Sequence, residues 1–239
     1  MLGAQEFLTL TSKVNKIVNF TAAFNKVPEP EVGPEDFDWL FLYVEPEPIL
    51  EPILPMKSVI DTKLIDIEKD LSKLEEWFDG KKLHLEKIYR GSDDGFLAEN
   101  FHKLCDGKGP TLTVVESSMG KKFGGYTLVP WSSEQGWKED LESFVFSLSH
   151  QTKHPIKQDQ KEFCIGHNKD YLPFFGYACE FSIYPECNTN PTSWSNIGRT
   201  YEAPEGIVHG SEEAKNYMAG EHKFLVKDIE VFIVSFLPK

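Results

Sequence analysis

The residues best suited to chemistry in this chain are His150-x3-His154 and, further on, Cys164-x2-His167. Imidazole and thiolate are zinc ligands. The order is wrong for a zinc finger, and Pro155 biases His154 away from the helix that would put both imidazoles on one face. Cys105 and Cys164 would be redox-active only if exposed and easily ionised, and the apolar strand pattern around Cys164 points to burial. Asp93-Asp94 is a carboxylate pair inside Gly91-Ser92-Asp93-Asp94-Gly95. That setting predicts turn residues capping a helix that begins near Phe96. His102, beside Phe101, reads as a hydrogen-bonded structural histidine rather than a general base. Gly120-Lys121-Lys122 lacks the upstream glycine and following Ser/Thr of a P-loop. No G-x-S-x-G or H-E-x-x-H occurs. The expectation is a protein with no catalytic residue, no cofactor and no metal.

The elements that must position these residues are mostly β. Phe96, Leu97, Phe101 and Leu104 share a helical face, stopped by Asp106-Gly107 and Gly109-Pro110. Thr111 to Val115 and Phe123 to Val129 read as strands joined through Met119-Gly120-Lys121-Lys122. Phe144 to Leu148, Phe163-Cys164-Ile165, Glu180 to Tyr184, Phe224 to Val226 and Ile229 to Phe236 read as further strands. His150 to Lys161 and Cys187 to Asn196 read as loops, and Glu212 to Met218 as a short helix. Short strands with repeated turn signals predict a sandwich of two sheets.

With 40% hydrophobic and 13% aromatic residues in 239, one sizeable domain plus an extension can be built. The net charge of -13 excludes generic nucleic-acid binding, which needs a basic surface. Four scattered cysteines in a chain of this length read as reduced cytosolic thiols. No apolar run reaches the roughly 18 residues of a membrane span, and the N-terminal residues lack a secretory pattern.

The first 80 residues read as an arm with three parts. Phe7, Leu10, Val14 and Ile17 predict an amphipathic helix, for docking or for packing on the body. The stretch 28–55 is acidic, has seven prolines and contains no Lys or Arg, so it is neither a regular helix nor a central strand. Inside it lies Phe37-Asp38-Trp39-Leu40-Phe41-Leu42-Tyr43, which marks Phe37, Trp39, Phe41 and Tyr43 as partner-binding candidates in a groove of this protein or of another. Lys57 to Phe78 predicts a helix whose Ile60, Leu64, Ile67, Leu71 and Leu74 form a heptad seam. That seam could pack within the chain, or meet another copy, another protein, or the arm's own first helix. The domain proper is expected over 81–239.

One resemblance spans about two-thirds of the chain. Tyr89-Arg90-Gly91-Ser92, Asp94-Gly95-Phe96, Phe101-His102, Gly109-Pro110-Thr111-Leu112, Phe123-Gly124-Gly125-Tyr126, Trp131-Ser132-Ser133, Ser195-Asn196-Ile197-Gly198 and Ile229-Glu230-Val231-Phe232 occur in the order found in TLDc domains. The chain resembles that family, which implies an α+β fold: a two-sheet antiparallel β-sandwich with flanking helices. It also implies a non-enzymatic interaction module linked to protection from oxidative stress. Its expected partner is the peripheral stalk of the vacuolar proton-pumping ATPase or another large cytoskeletal or ciliary assembly, in or facing the cytoplasm. A redox-protective enzyme or thiol protein is the alternative. Tyr177-Ala178-Cys179-Glu180-Phe181 departs from the glycine-rich run usual in the family.

Overall fold

The computed structural model describes residues 60–238 except 178. The expected first helix, the acidic proline-rich strap and Phe37, Trp39, Phe41 and Tyr43 lie outside the described residues. Strands form two six-stranded sheets. In chain order they are β1 (Leu83–Arg90), β2 (Thr111–Ser117), β3 (Lys122–Thr127), β4 (Gly136–Lys138), β5 (Phe144–Ser147), β6 (Thr152–Pro155), β7 (Ile165–His167), β8 (Phe174–Phe175), β9 (Phe181–Ser182), β10 (Ser193–Ser195), β11 (Lys223–Phe224) and β12 (Val226–Phe236). The first sheet runs β1-β12-β2-β3-β5-β6 and the second β11-β10-β9-β8-β7-β4. The pairings are antiparallel, as β12 with β1 and β2 and β7 with β4 and β8 illustrate. The helices are α1 (Asp70–Trp77), α2 (Gly91–Asp94), α3 (Ala98–Cys105) and α4 (Glu212–Asn216).

Strand side chains alternate between faces, and both faces of the first sheet are apolar. Val115, Phe123, Val145, Ile229 and Val231 point inward to the second sheet, where they meet Ile165, Phe175, Phe181 and Phe224. Phe123 lies edge to face with Phe181 at 5.3 Å and Phe224 at 5.6 Å. The alternate residues Leu112, Val114, Tyr126, Phe144, Phe146, Phe232 and Val234 point the other way, onto Leu64, Ile65, Leu74, Trp77 and Phe78. A register shift between Lys87 and Tyr89 lets β1 serve both layers. Leu83 and Leu85 go outward and Tyr89 goes inward, because one extra residue reverses the alternation.

The expected helix over 57–78 is corrected. Among the described residues only Asp70–Trp77 forms it. The preceding amides are taken by side chains. Thr62 Oγ1 accepts from Leu64 and Ile65, Asp66 Oδ1 from Glu68 and Lys69, and Glu230 from Lys63. Such local acceptors compete with the helical ladder. The heptad seam is therefore not one stripe. Leu64 and Leu74 are buried in the chain's own core, Ile60 and Leu71 pack at its edge, and Ile67 is half exposed. Residues 60–80 pack on the first sheet as an outer layer of the sandwich. Two expected loops also hold short strands: β6 lies within 150–161 and β10 within 187–196.

Candidate functional site

Three places gather the groups that could act. The first is a shallow polar cleft of about 430 Å³ lined by Glu99, His102, Lys103, Asp106, Ser133 and Lys169. Helix α3 positions its centre. Asn100 Oδ1 accepts the Leu97 N–H at the helix start, and Asp106 N–H donates to the His102 carbonyl at its end. His102 Nδ1 lies 2.7 Å from Asp106 Oδ1, while Nε2 donates to the carbonyls of Asn168 at 3.0 Å and Tyr171 at 2.9 Å. Ser133 Oγ donates to Asp106 Oδ2 at 2.6 Å. Serine, aspartate and histidine are thus linked, but in the wrong order for nucleophilic catalysis. The hydroxyl meets the carboxylate rather than the imidazole, and the remaining ring nitrogen is spent on backbone. The relay ties two loops to α3, as the structural reading of His102 anticipated.

The second place is an ion cluster around Arg90, which is 4% exposed. Its guanidinium bonds Glu230 at 2.7 Å, Asp93 at 2.8 Å and Asp61 at 2.9 Å. Burial opposes the Arg90 charge, but Asp61, Asp93 and Glu230 outweigh it and hold the group above its usual value. Lys63 and then Arg90 bring Asp93 down to about 2, and Lys87 and Arg90 lower Asp61. The expected cap is corrected here. Asp94 accepts the Arg90 N–H and Asp93 pairs with Lys63 and Arg90, so both belong to α2 and neither caps the helix after it. The cluster fastens residues 61–64 to β12.

The third is the outer face of the second sheet. Trp137 of β4 lies 5.0 Å edge to face from Phe174 of β8, 5.5 Å from Tyr177 and 6.2 Å from Phe163. Tyr171 continues the stripe to Phe174 and Tyr184. Tyr177 is 55% exposed and the other five rings are half buried. The stripe sits directly on Gly166, where a Cβ would come within 2.8 Å of the Phe174 ring and 3.1 Å of Trp137. No hydrophobic period could reveal this face, because β4 and β8 have three and two residues. Sequence reading missed it, and the ion cluster too.

The zinc-type residues do not converge. His150 stacks on Tyr217, His154 bonds Thr152, Cys164 donates to the Lys161 carbonyl, and His167 lies against Trp131. Among the described residues no three His, Cys, Asp or Glu side chains are grouped to hold a metal ion. The four thiols are free. Burial pushes Cys105, Cys164 and Cys179 up, and Cys187 up to about 12. The departure at 177–181 has a structural use. Glu180 Oε1 accepts N–H bonds from Arg199, Thr200 and Tyr201, and burial raises its pKa. Gly176, at φ +78, has no room for a Cβ because Glu180 Oε2 lies against it.

The fold and these surfaces define the class: an antiparallel two-sheet β-sandwich with flanking helices, with an aromatic stripe on one outer face. The TLDc domain model matches residues 60–235, more than half of the chain, and the chain belongs to the TLDc domain family. That span starts at the outer layer, well before β1. No curated protein matches the chain. No helix among the described residues is long and apolar enough to cross a membrane.

Proposed function

We propose that this chain is a non-enzymatic interaction module that docks onto the peripheral stalk of the vacuolar proton-pumping ATPase at its cytosolic side. The TLDc family supplies the direction of this reading. The observation that carries it is the aromatic face of Trp137, Phe163, Phe174 and Tyr177. Half-buried Trp and Tyr at a surface are the residues that dominate protein interfaces. The polar cleft supports the same reading, since its histidine has no nitrogen left for substrate. A thiol-based protective enzyme is disfavoured by four cysteines whose thiolates are all suppressed by burial.

The test is a native pull-down of the full chain from its own cells at gentle salt, beside a Trp137→Ala/Tyr177→Ala double variant. Stalk subunits are expected with the unaltered chain and not with the variant, at similar recovery of folded protein. Their absence from the unaltered pull-down, or their retention by the variant, would overturn the reading.

A further inference from the structure

His167 ends β7, is 4% exposed, and has no hydrogen-bond partner on either ring nitrogen. Its ring lies 5.9 Å from that of Trp131, itself buried in the inter-sheet core. A neutral imidazole left without partners already gives up hydrogen bonds to water, and an imidazolium there would be an unpaired buried cation. The charged and titratable groups facing it come from three places. Lys138 is on β4 with Glu134 in the loop before it, His102 is on α3, and Asp106 follows α3. Burial, Lys138 and His102 oppose a proton, Asp106 and Glu134 favour one, and the balance leaves the group at about 4.

The position of His167 in the chain gives this a mechanical consequence. The next residue is Asn168, whose carbonyl accepts from His102 Nε2, as does that of Tyr171. Those two bonds hold the 168–171 loop against α3 and form one wall of the polar cleft, which Lys169 lines. Asn168 follows His167 directly, so a backbone shift that carries the His167 ring out of the core also moves the Asn168 carbonyl.

We propose that His167 is an acid-operated latch: once protonated it leaves the core and frees the 168–171 loop from His102, opening the cleft. The open form binds a proton with the affinity of an ordinary histidine, near 6.5, whereas the closed form does not. The open population therefore rises up to about tenfold per pH unit below that point. His154 is a second buried histidine but sits on β6 of the other sheet, bonded to Thr152, so a local readout separates the two.

The experiment is hydrogen exchange of residues 165–172 in the full chain from pH 7 to pH 5, corrected for the intrinsic pH dependence of exchange. The unaltered chain is compared with His167→Phe. Protection is expected to fall about tenfold per pH unit below 6.5 in the unaltered chain and to stay level in the variant. An equal fall in both, or none in the unaltered chain, overturns the proposal. Because His167→Phe could fail to fold, the ring proton resonance of His167 is also titrated in the unaltered chain. Retention of the neutral form until the loop opens supports the latch. Titration near 6.5 with loop protection intact overturns it.

Discussion

The two outer faces of the sandwich are built alike and finished differently. On the first sheet Leu112, Val114, Phe146 and Phe232 are fully buried, because residues 60–80 lie across them. On the second, Trp137, Phe163, Phe174 and Tyr177 pack ring against ring, edge to face or tilted, and among the described residues no layer lies over them. An apolar sheet face must be covered by something. The first face has its cover in the same chain, locked by the Arg90 cluster. The second has rings that partly shield each other and leave Tyr177 open. The first is a core, and the second has the make-up of an interface.

The sharpest way to break this contrast is to truncate a ring on each face. Phe146→Ala on the covered face is expected to cost about 3–5 kcal/mol in urea unfolding, as a large buried ring replaced by a cavity does. Arg90→Ala should cost about 3–5 kcal/mol, since it strands Glu230, which is fully buried. Limited proteolysis within residues 60–70 should report that loss first. Gly166→Ala, beneath the aromatic stripe, should cost about 1–3 kcal/mol through overpacking against Phe174 and Trp137. Equal stability of that variant would mean that the stripe is loosely seated.

Acid should bear on the sheets through His154 and His167, both held at about 4 mainly by burial. The unfolded chain binds these protons near 6.5, so their contribution is fully present above 6.5. It is lost as pH falls toward 4, at up to about 1.4 kcal/mol per pH unit for each. Unfolding curves at pH 7, 6 and 5 measure the slope. A single His167→Phe change should reduce it, with His154 and the more weakly depressed His150 supplying the remainder. Tyr177→Ala should change stability by only about 0.5 kcal/mol or less while weakening partner recovery. A large stability loss there would make the second face a core after all.

Much of the fold was legible because its signals are local. Alternation in Thr111 to Val115 and Ile229 to Phe236, and the helical face of Phe101 and Leu104, correspond to β2, β12 and α3. The heptad pattern over 57–78 misled because periodicity records which residues are apolar, not what they pack on. Leu64 and Leu74 do reach a core, but Thr62, Asp66 and Glu230 take the amides that a continuous helix would have used. His102 was legible as structural, whereas its partners Asn168 and Tyr171 were not, lying 66 and 69 positions on.

The amino-acid sequence alone determined the class of fold, the family motifs, the acidic charge and the burial of Cys164, since each depends on composition or short-range pattern. Only the tertiary structure decided that the first sheet is covered by its own chain and that Arg90 meets Asp61 and Glu230. Only there do five further rings gather around Trp137 and does His167 face a core without partners. Those outcomes depend on residues distant in sequence being brought within a few ångströms, which no local pattern encodes.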